Sequence, residues 1–259
     1  MSANYKNWIP KGMIYGFMSG TLAATAGAIA LNLFTDAPAA KVTSYVLGTG
    51  AFGLACASAW CIYAYTQFSY NGKRKLSKQI VEGVADYIDM PENSRILDVG
   101  CGSGALTIAT AKRNPKCHIV GCDRWGLEYA SFSKKLCEEN ASAENVSNVE
   151  FVNGDATHLP FEDESFDCIT SNYVYHNIPG DKQKWVLESL RVLKKGGTFV
   201  IHDLMSKWLY GDIRKFMQTL REMGFQDVKL IDTTQGKFMT PWETKCLGLG
   251  GSSILYGKK

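Results

Sequence analysis

RILDVGCGSGALTIATAK, residues 95–112, is the stretch of sequence that decides the fold. A short apolar run ends at Val99, three glycines follow in alternation, and a helical pattern begins at Ala105. Glycines are needed where a ligand approaches the backbone so closely that any Cβ would collide with it. An acid, Asp123, lies at the end of the next strand pattern, where it is placed to hold the ribose hydroxyls of a nucleoside. The stretch therefore predicts a nucleoside site at the head of an α/β domain.

Strand and helix patterns alternate through the rest of the chain after residue 73, without an internal repeat. The pattern predicts a Rossmann-like, mostly parallel, seven-stranded sheet with helices on both faces. No helical pattern separates the last two strands, so we expect them to pair antiparallel at one edge. The predicted strands are Arg95–Val99, His118–Asp123, Val149–Val152, Asp167–Ser171, Thr198–His202, Val228–Ile231 and Ser253–Tyr256. The predicted helices are 76–89, 103–113, 126–140, 181–193 and 211–223.

Five motifs occur in order along this domain, and together they resemble the class I S-adenosylmethionine-dependent methyltransferases. They are D-x-G-x-G-x-G at 98–104, Gly-Cys-Asp at 121–123, Gly-Asp-Ala at 154–156, the strand 166–172 and the turn 193–198. The segment 173–178 is similar to the small-molecule branch that resembles ubiquinone and menaquinone biosynthesis methyltransferases. The resemblance covers essentially all of residues 74–259. It implies S-adenosyl-L-methionine as cofactor and S-adenosyl-L-homocysteine as product.

The resemblance also implies which residues bind the cofactor. Asp98 and the loop amides would hold the methionine amino and carboxylate groups, Asp123 the ribose, and Asp155 the adenine amine. Asp123 as a helix N-cap, and Trp125 as a core residue instead of an adenine-stacking one, are the alternatives. Small size alone explains Cys101 in the loop. The predicted cofactor-binding residues are Asp98, Gly100, Cys101, Gly102, Gly104, Asp123, Arg124, Trp125, Asp155, Ala156, Ser171 and Asn172.

Three residues after the fourth strand, Tyr173, Tyr175 and His176, are the candidate catalytic residues. They should lie at the carboxyl edge of the sheet, where ligands bind in this fold. His176 is placed to remove a proton from the acceptor, although it is equally suited to orient the loop. The tyrosines would shape the acceptor pocket or face the sulfonium. His202 and Asp203 are second-line candidates, and in-line displacement needs no metal, for which we find no ligand cluster.

The first 72 residues differ from the rest in charge. The whole chain has 28 basic and 25 acidic residues, but this segment contains only Lys6, Lys11, Asp36 and Lys41. Two uncharged runs, about 12–35 and 43–68, are long enough to cross a bilayer as helices. Soluble core helices of this length would show a polar stripe, and a signal peptide would explain only one run. We therefore predict a membrane anchor over 1–72 and a catalytic domain over 73–259.

The predicted anchor has small residues at helical spacing and basic residues at both ends. Gly12, Gly16, Gly20, Ala24 and Ala28 form one face, and Ala51, Ala55 and Ala59 another. Such faces let two helices approach closely, within one chain or in a homo-oligomer. The basic residues before the first run and after the second predict that both termini and the catalytic domain are cytoplasmic. Aromatic residues near the end of the second run would lie at the interface with membrane lipid.

The same observations exclude some functions and favour others. The near-neutral catalytic domain argues against nucleic acid as partner. The eight cysteines fall mostly in strand, helix or apolar patterns, as expected of reduced thiols. A membrane anchor favours a small lipophilic or membrane-associated methyl acceptor, with the loop Thr233–Gly248 as a pocket wall or a lip facing the membrane. The alternatives are a non-catalytic membrane scaffold that binds S-adenosylmethionine, and an aminopropyl transferase.

Overall fold

The computed structural model describes residues 2–126 and 131–259. The chain divides into two compact units, one formed by Asn7–Ser77 and the other by Lys78–Lys259 together with the residues up to Lys6. The N-terminal residues, expected to belong to the anchor, thus group with the larger unit. Each unit is described by itself.

The smaller unit contains helix α1, Lys11–Phe34, and helix α2, Pro38–Phe68. Both are long and apolar enough to cross a membrane, by length and composition. The two helices lie side by side, because a Cβ added at Gly20 would be 3.2 Å from the side chain of Leu54, and one added at Gly27 the same distance from Leu47. Small residues at these two points therefore allow close packing within the chain.

The expected face of small residues is used only in part within this unit. A Cβ at Gly12 or Gly16 would meet no described atom within 4 Å, whereas Gly27, outside the expected repeat, packs against the partner helix. A polar contact adds to the packing, since Ser44 Oγ donates to the Ala28 carbonyl at 3.0 Å. Ser44 also bonds the amide of Asn32.

The larger unit is built on a seven-stranded sheet, and it confirms the predicted Rossmann-like class. The strand order is β3-β2-β1-β4-β5-β7-β6. Strands β1 to β5 pair in parallel, while β7 lies antiparallel between β5 and β6, so the predicted antiparallel pairing of the last two strands is confirmed. The strands are β1 Arg95–Val99, β2 His118–Asp123, β3 Val149–Asn153, β4 Phe166–Asn172, β5 Leu193–Leu204, β6 Gln226–Asp232 and β7 Ser252–Lys258.

Seven further α-helices occur in the described residues, and four differ from prediction by more than two residues. The sequence pattern does not predict helix α7. Helix α3 ends at Ala85 rather than 89. The helix predicted over 126–140 begins at Lys134, where Ser133 caps it through Leu136 N; residues 127–130 lie outside the described part. The predicted loop 233–248 contains a helix. The helices are α3 Leu76–Ala85, α4 Ala105–Arg113, α5 Lys134–Ala143, α6 Lys182–Arg191, α7 Lys207–Tyr210, α8 Ile213–Glu222 and α9 Pro241–Cys246.

The register of the parallel strands brings four chain segments to one edge of the sheet. Val99 pairs with Cys122, Asp98 with Thr170, and Asn172 with His202, so β1, β2, β4 and β5 all end at the same side. Buried apolar residues along these strands hold the register, because a slip would move them off the core face. The carboxyl edge is where open α/β sheets bind ligands.

Candidate functional site

The loop after β1 takes a backbone shape that its glycines make possible. Gly100, Gly102 and Gly104 have φ values of 72°, 56° and 79°, in the left-handed region that residues with a Cβ rarely adopt. A Cβ at Gly100 would also lie 2.4 Å from a methyl of Val174, in the loop after β4. Close approach of two loops, together with the backbone shape, explains why glycine occurs at this position.

Asp98 lies at the end of β1, beneath that loop, and is buried. Its Oδ2 accepts a 2.6 Å hydrogen bond from Thr107 Oγ1 on α4, while Oδ1 is buried with no hydrogen-bond partner among the described residues. Burial raises the pKa of this carboxyl to about 7, against the bond from Thr107 and with a further contribution from the charge of Asp123. A buried oxygen without a donor is a place where a ligand donor would be stabilising.

Asp123 lies at the end of β2 and organises the turn that follows it. Its Oδ2 accepts from Gly102 N at 2.9 Å and its Oδ1 from Trp125 N at 2.7 Å. The indole Nε1 of Trp125 donates to the Gly102 carbonyl at 2.9 Å. The predicted ribose acid and the predicted adenine-stacking residue are therefore both joined directly to the glycine loop.

Asp155, which follows β3, pairs with Arg124 from the turn after β2. The two side chains are 3.8 Å apart, and Asp155 Oδ1 accepts from both the amide and the hydroxyl of Thr157. Burial would raise the pKa of Asp155, but the bonds from Thr157 and the charge of Arg124 outweigh it and hold the pKa below its usual value. Asp155 thus remains an acceptor at this edge of the sheet.

His176 and Asp203 form a hydrogen-bonded pair at the same edge. His176 Nδ1 is 2.5 Å from Asp203 Oδ1, and its backbone amide donates to Oδ2 at 3.0 Å. Asp203 is fully buried and also accepts from Leu204 N and from the hydroxyl of Tyr210, each at 2.7 Å. An ionised carboxylate only accepts, so the proton of a neutral His176 lies on Nδ1 and leaves Nε2 as an acceptor. The imidazole is 18% exposed.

A second polar chain runs beside this pair. His202 is fully buried, with Nδ1 2.7 Å from Asn172 Oδ1 and Nε2 3.0 Å from Thr233 Oγ1. Burial lowers the pKa of His202 to about 3, so it is neutral and suited to structure rather than proton transfer. Tyr173, at φ 57°, packs its ring 4.6 Å from that of His202 and bonds Ser252 Oγ at 2.7 Å. Its ring also meets the His176 ring edge-on at 6.0 Å.

Three predicted site residues lie in the core instead of facing the loops. Tyr175 is fully buried, with its hydroxyl bonded to Ser189 Oγ of α6 at 2.8 Å, so the interpretation of it as an acceptor-pocket residue is replaced by a packing role. Ser171 is buried and donates to the Val99 carbonyl at 2.9 Å, which joins β4 to β1. Ala156 packs against the same core.

Cys101 fits its buried position in the glycine loop because its side chain is small. It is buried in the glycine loop, and burial, together with the neighbouring thiol of Cys137, raises the pKa of its own thiol well above the usual value. Cys137 Sγ donates to the Gly102 carbonyl at 3.2 Å. Cys101 therefore carries a protonated thiol that fills space.

The N-terminal segment and its partner, Asn140, reach the glycine loop through contacts that the sequence does not predict. Asn140 is buried on α5; its Oδ1 accepts from Asn4 N at 2.7 Å, and its amide donates to the carbonyls of Asn4 and of Ser103, at 3.2 and 3.0 Å. Tyr5, next along, is buried. One side chain thus joins the start of the chain to the glycine loop, and no local pattern announces a contact across 136 residues.

Comparison with known proteins agrees with this geometry. A family model described as a methyltransferase domain matches residues 91–245, well over half of the chain. The chain therefore belongs to the methyltransferase domain family, within the class I S-adenosylmethionine-dependent methyltransferases.

Individual relatives extend the comparison. The chain is 31% identical over 131 residues to a demethylmenaquinone methyltransferase of Geobacillus kaustophilus, covering 50% of this chain and 53% of the relative. It is 38% identical over 109 residues to the uncharacterized methyltransferase YcgJ of Bacillus subtilis, covering 42% and 40%. The match thus spans about half the length of these relatives.

Solved structures share the fold. The [4+2]-cyclase SpnF aligns with a TM-score of 0.55 at 20% identity, covering 71% of this chain and 81% of that one. A geranyl diphosphate methyltransferase in complex with geranyl diphosphate and sinefungin aligns at 0.51 and 16%, covering 69% and 76%. At these identities the likeness shows the fold alone.

The residues present fit S-adenosylmethionine, the cofactor of this family. Asp98 offers a buried oxygen without a donor, which a methionine ammonium group would satisfy. The left-handed glycines leave a cradle free of Cβ atoms, and Asp123 and Asp155 supply acceptors at the ends of the next two strands. These residues would hold the cofactor along the carboxyl edge.

Proposed function

We propose that this protein transfers a methyl group from S-adenosylmethionine to a small, lipophilic, membrane-associated acceptor, with His176 as the base that takes the acceptor's proton. The observation that carries the proposal is the His176–Asp203 pair, whose distance of 2.5 Å fixes the imidazole at the edge of the sheet that also holds the glycine loop. The glycine loop and the candidate base then lie at the same edge of the sheet.

The chemistry divides between the cofactor and the protein. When bound, S-adenosylmethionine would supply an electrophilic methyl carbon on a positively charged sulfur, which would leave with the electron pair of the carbon–sulfur bond as an electron pair of the acceptor forms the new bond. His176 Nε2 would take the proton that the acceptor loses. Asp203 keeps the other ring nitrogen protonated and stabilises the imidazolium that results. The remaining task of the protein is to align the acceptor and exclude water.

The acceptor class rests on two lines of support. Two of the relatives, 31% and 37% identical to the chain over 131 and 114 residues, are named demethylmenaquinone methyltransferases, and a quinone of this kind is lipophilic. Helices α1 and α2, apolar and long enough to cross a bilayer, would keep the catalytic unit where such molecules are found. We therefore favour a lipophilic acceptor whose reacting group carries a removable proton, such as a reduced quinone.

The membrane arrangement that we propose follows the charges outside the two helices. Residues 1–72 would serve as anchor and 73–259 as catalytic domain, with both termini on the cytoplasmic side. Lys6 and Lys11 precede the first apolar run, and Lys73, Arg74 and Lys75 follow the second, in accord with the positive-inside rule. Cysteine labelling of the connecting loop in intact cells would test this orientation.

The decisive experiment measures cofactor binding and methyl transfer separately on the full chain in nanodiscs. Calorimetry with S-adenosylhomocysteine should give binding that Asp123→Ala weakens strongly, because its carboxylate would hold the ribose and orders the loop. Transfer of labelled methyl to a panel of reduced lipophilic quinones should then be detected. Cofactor binding without transfer to any lipophilic acceptor would favour the scaffold alternative.

The role of His176 needs its own comparison. His176→Asn should lower turnover by about 10²- to 10⁴-fold, the usual contribution of a general base, with cofactor affinity unchanged. His118→Asn, at an exposed histidine at the amino end of β2, is the matched control and should keep full turnover. Full turnover by the His176 variant would remove it from the mechanism while leaving the methyltransferase proposal intact.

A further inference from the structure

Two exposed tryptophans mark an unexplained surface of the catalytic unit. Trp208 on α7 is 92% exposed and Trp242 on α9 is 68% exposed. A tryptophan side chain carries 150–250 Å² of largely apolar surface, so nearly full exposure of two is unfavourable unless something covers them. We give the name tryptophan lip to Trp208 and Trp242, together with the exposed lysines Lys207, Lys237 and Lys245 on the same two segments.

The lip lies at the carboxyl edge of the sheet. Helix α7 follows the end of β5 after two residues, and Met205 N of that connection donates to the Gly251 carbonyl at 2.9 Å. Gly251 belongs to the segment that leads from α9 into β7, where Leu249 N donates to the Thr244 carbonyl at 2.9 Å. These bonds bring α7 and α9 to the edge that carries His176 and the glycine loop.

Each tryptophan lies on an element that also contacts the candidate site. On α7, Tyr210 is buried and donates to Asp203 Oδ2 at 2.7 Å, two residues after the exposed Trp208. Before α9, the ring of Phe238 meets that of His202 edge-on at 5.4 Å. A Thr240–Glu243 capping box fixes the start of α9. The segments that carry the lip are thus joined to Asp203 and His202 of the candidate site.

The charged residues of the lip indicate the kind of surface to which it binds. The two segments, 204–211 and 233–251, contain three lysines and one acid, Glu243, which is buried and bonded within its capping box. The exposed Asp212 and Asp232 adjoin them, and their carboxylates accept from backbone amides of their own turns. Tryptophan beside lysine is the combination found at membrane interfaces, where the ring lies at headgroup depth and the ammonium meets anionic lipid. Because two helices of the chain are able to cross a membrane, a lipid bilayer is the apolar surface that is available to the tryptophans.

We propose that the tryptophan lip inserts into the lipid–water interface and forms the entrance through which a lipophilic acceptor reaches His176. The insertion needs only that the chain be at a membrane, while the entrance role rests on the proposed function. In this arrangement an acceptor would pass from lipid to the site along α7 and α9, without crossing water.

Fluorine NMR on the full chain tests the insertion directly. The protein, labelled with 5-fluorotryptophan, is placed in nanodiscs of phosphatidylcholine and phosphatidylglycerol, with and without a nitroxide on the lipid headgroup. Tryptophan-to-phenylalanine variants assign the signals. We expect the nitroxide to broaden the signals of Trp208 and Trp242 more than that of Trp185, relative to nanodiscs without the nitroxide. Trp185 is the comparison within the unit because it is only partly exposed and its Nε1 is bonded to the Pro179 carbonyl at 3.0 Å.

The outcomes separate the two proposals. Signals of Trp208 and Trp242 as sharp as that of Trp185 would overturn the lip. Trp8 and Trp60, in the smaller unit, report on the anchor independently, so sharp signals from them would overturn the anchor alone. Broadening of the lip tryptophans supports the insertion even if no methyl acceptor is ever found.

Kinetics test the entrance role. The double variant Trp208→Ser and Trp242→Ser should raise KM for a vesicle-borne quinol by roughly five- to tenfold, with the Kd of S-adenosylhomocysteine unchanged. Phenylalanine at both positions keeps the apolar surface and should restore most of the KM. An unchanged KM in the serine variant would overturn the entrance role.

Discussion

Asp98 should make cofactor binding depend on pH. Burial raises its pKa to about 7, and its Oδ1 has no donor among the described residues. If the ionised carboxylate is the form that receives the methionine ammonium group, binding requires Asp98 to lose its proton. About 3% of this carboxyl is ionised at pH 5.5 and about half at pH 7.0, so the association constant of S-adenosylhomocysteine should rise about fifteenfold across that range.

Calorimetry on the full chain measures this dependence. S-adenosylhomocysteine is the suitable ligand because its sulfur is neutral and its amino group remains protonated in this range. Titrations in buffers of different ionisation enthalpy should show release of about 0.9 proton per ligand at pH 6. Asp98→Asn, which keeps the shape and cannot ionise, should bind more weakly at pH 7 and show no slope. A flat profile in the wild type, or an equal slope in the variant, would refute the reasoning.

The same carboxyl should also shape the stability of the ligand-free protein. Its folded pKa of about 7 lies above the unfolded value of 3.8, so the native state binds the proton more tightly. Protonated Asp98 then contributes at most about 4 kcal/mol to the free energy of unfolding. This contribution is fully present below about pH 4 and is lost as pH rises through 7. Asp98→Asn should therefore be more stable than the wild type at pH 8 and similar to it at pH 4 in urea unfolding. A wild type that remains the more stable at pH 8 would contradict this account.

Three other substitutions give distinct outcomes. Asn140→Ala removes hydrogen bonds to the glycine loop and the N-terminal segment, and should raise the Kd of the cofactor about tenfold in calorimetry. An unchanged Kd would make Asn140 purely structural. Gly100→Ala places a Cβ 2.4 Å from Val174 and should lower the free energy of unfolding by about 2–4 kcal/mol, part of which Val174→Ala recovers. Tyr175→Phe should lose about 1 kcal/mol by breaking the bond to Ser189 with turnover unchanged; a fall in turnover alone would return Tyr175 to the site.

Local patterns predict where the glycine loop and Asp123 lie, because each depends on its immediate neighbours: a strand end, a turn that excludes Cβ atoms, and the start of a helix. The role of Asp98 comes from the family resemblance, and the binding roles of all these residues stay predictions. The helix inside the predicted loop 233–248 had a readable signal too. Thr240-Pro241-Trp242-Glu243 combines a capping box with proline in the first turn, and the structure shows both.

Strand lengths depended on partners that are distant in sequence. Strand β5 was predicted over 198–202 and extends over Leu193–Leu204, because β4 pairs with it on one side and β7 on the other. A strand between two others gains hydrogen bonds well beyond its apolar centre, and its ends carry polar residues that the hydropathy pattern excludes. The residues near 198 in the sequence therefore do not predict where β5 begins and ends.

The two histidines of the site show most clearly what the sequence lacks. His176 and His202 both follow or end inner strands at the carboxyl edge, so their local patterns rank them closely. His202 meets Asn172 and Thr233, two neutral partners, while burial disfavours its charged form, so it is held neutral. His176 contacts the carboxylate of Asp203 with one nitrogen, which leaves the other nitrogen to act. These partners lie 27 to 31 residues away, so the difference between a structural histidine and a candidate base is decided by strand pairing.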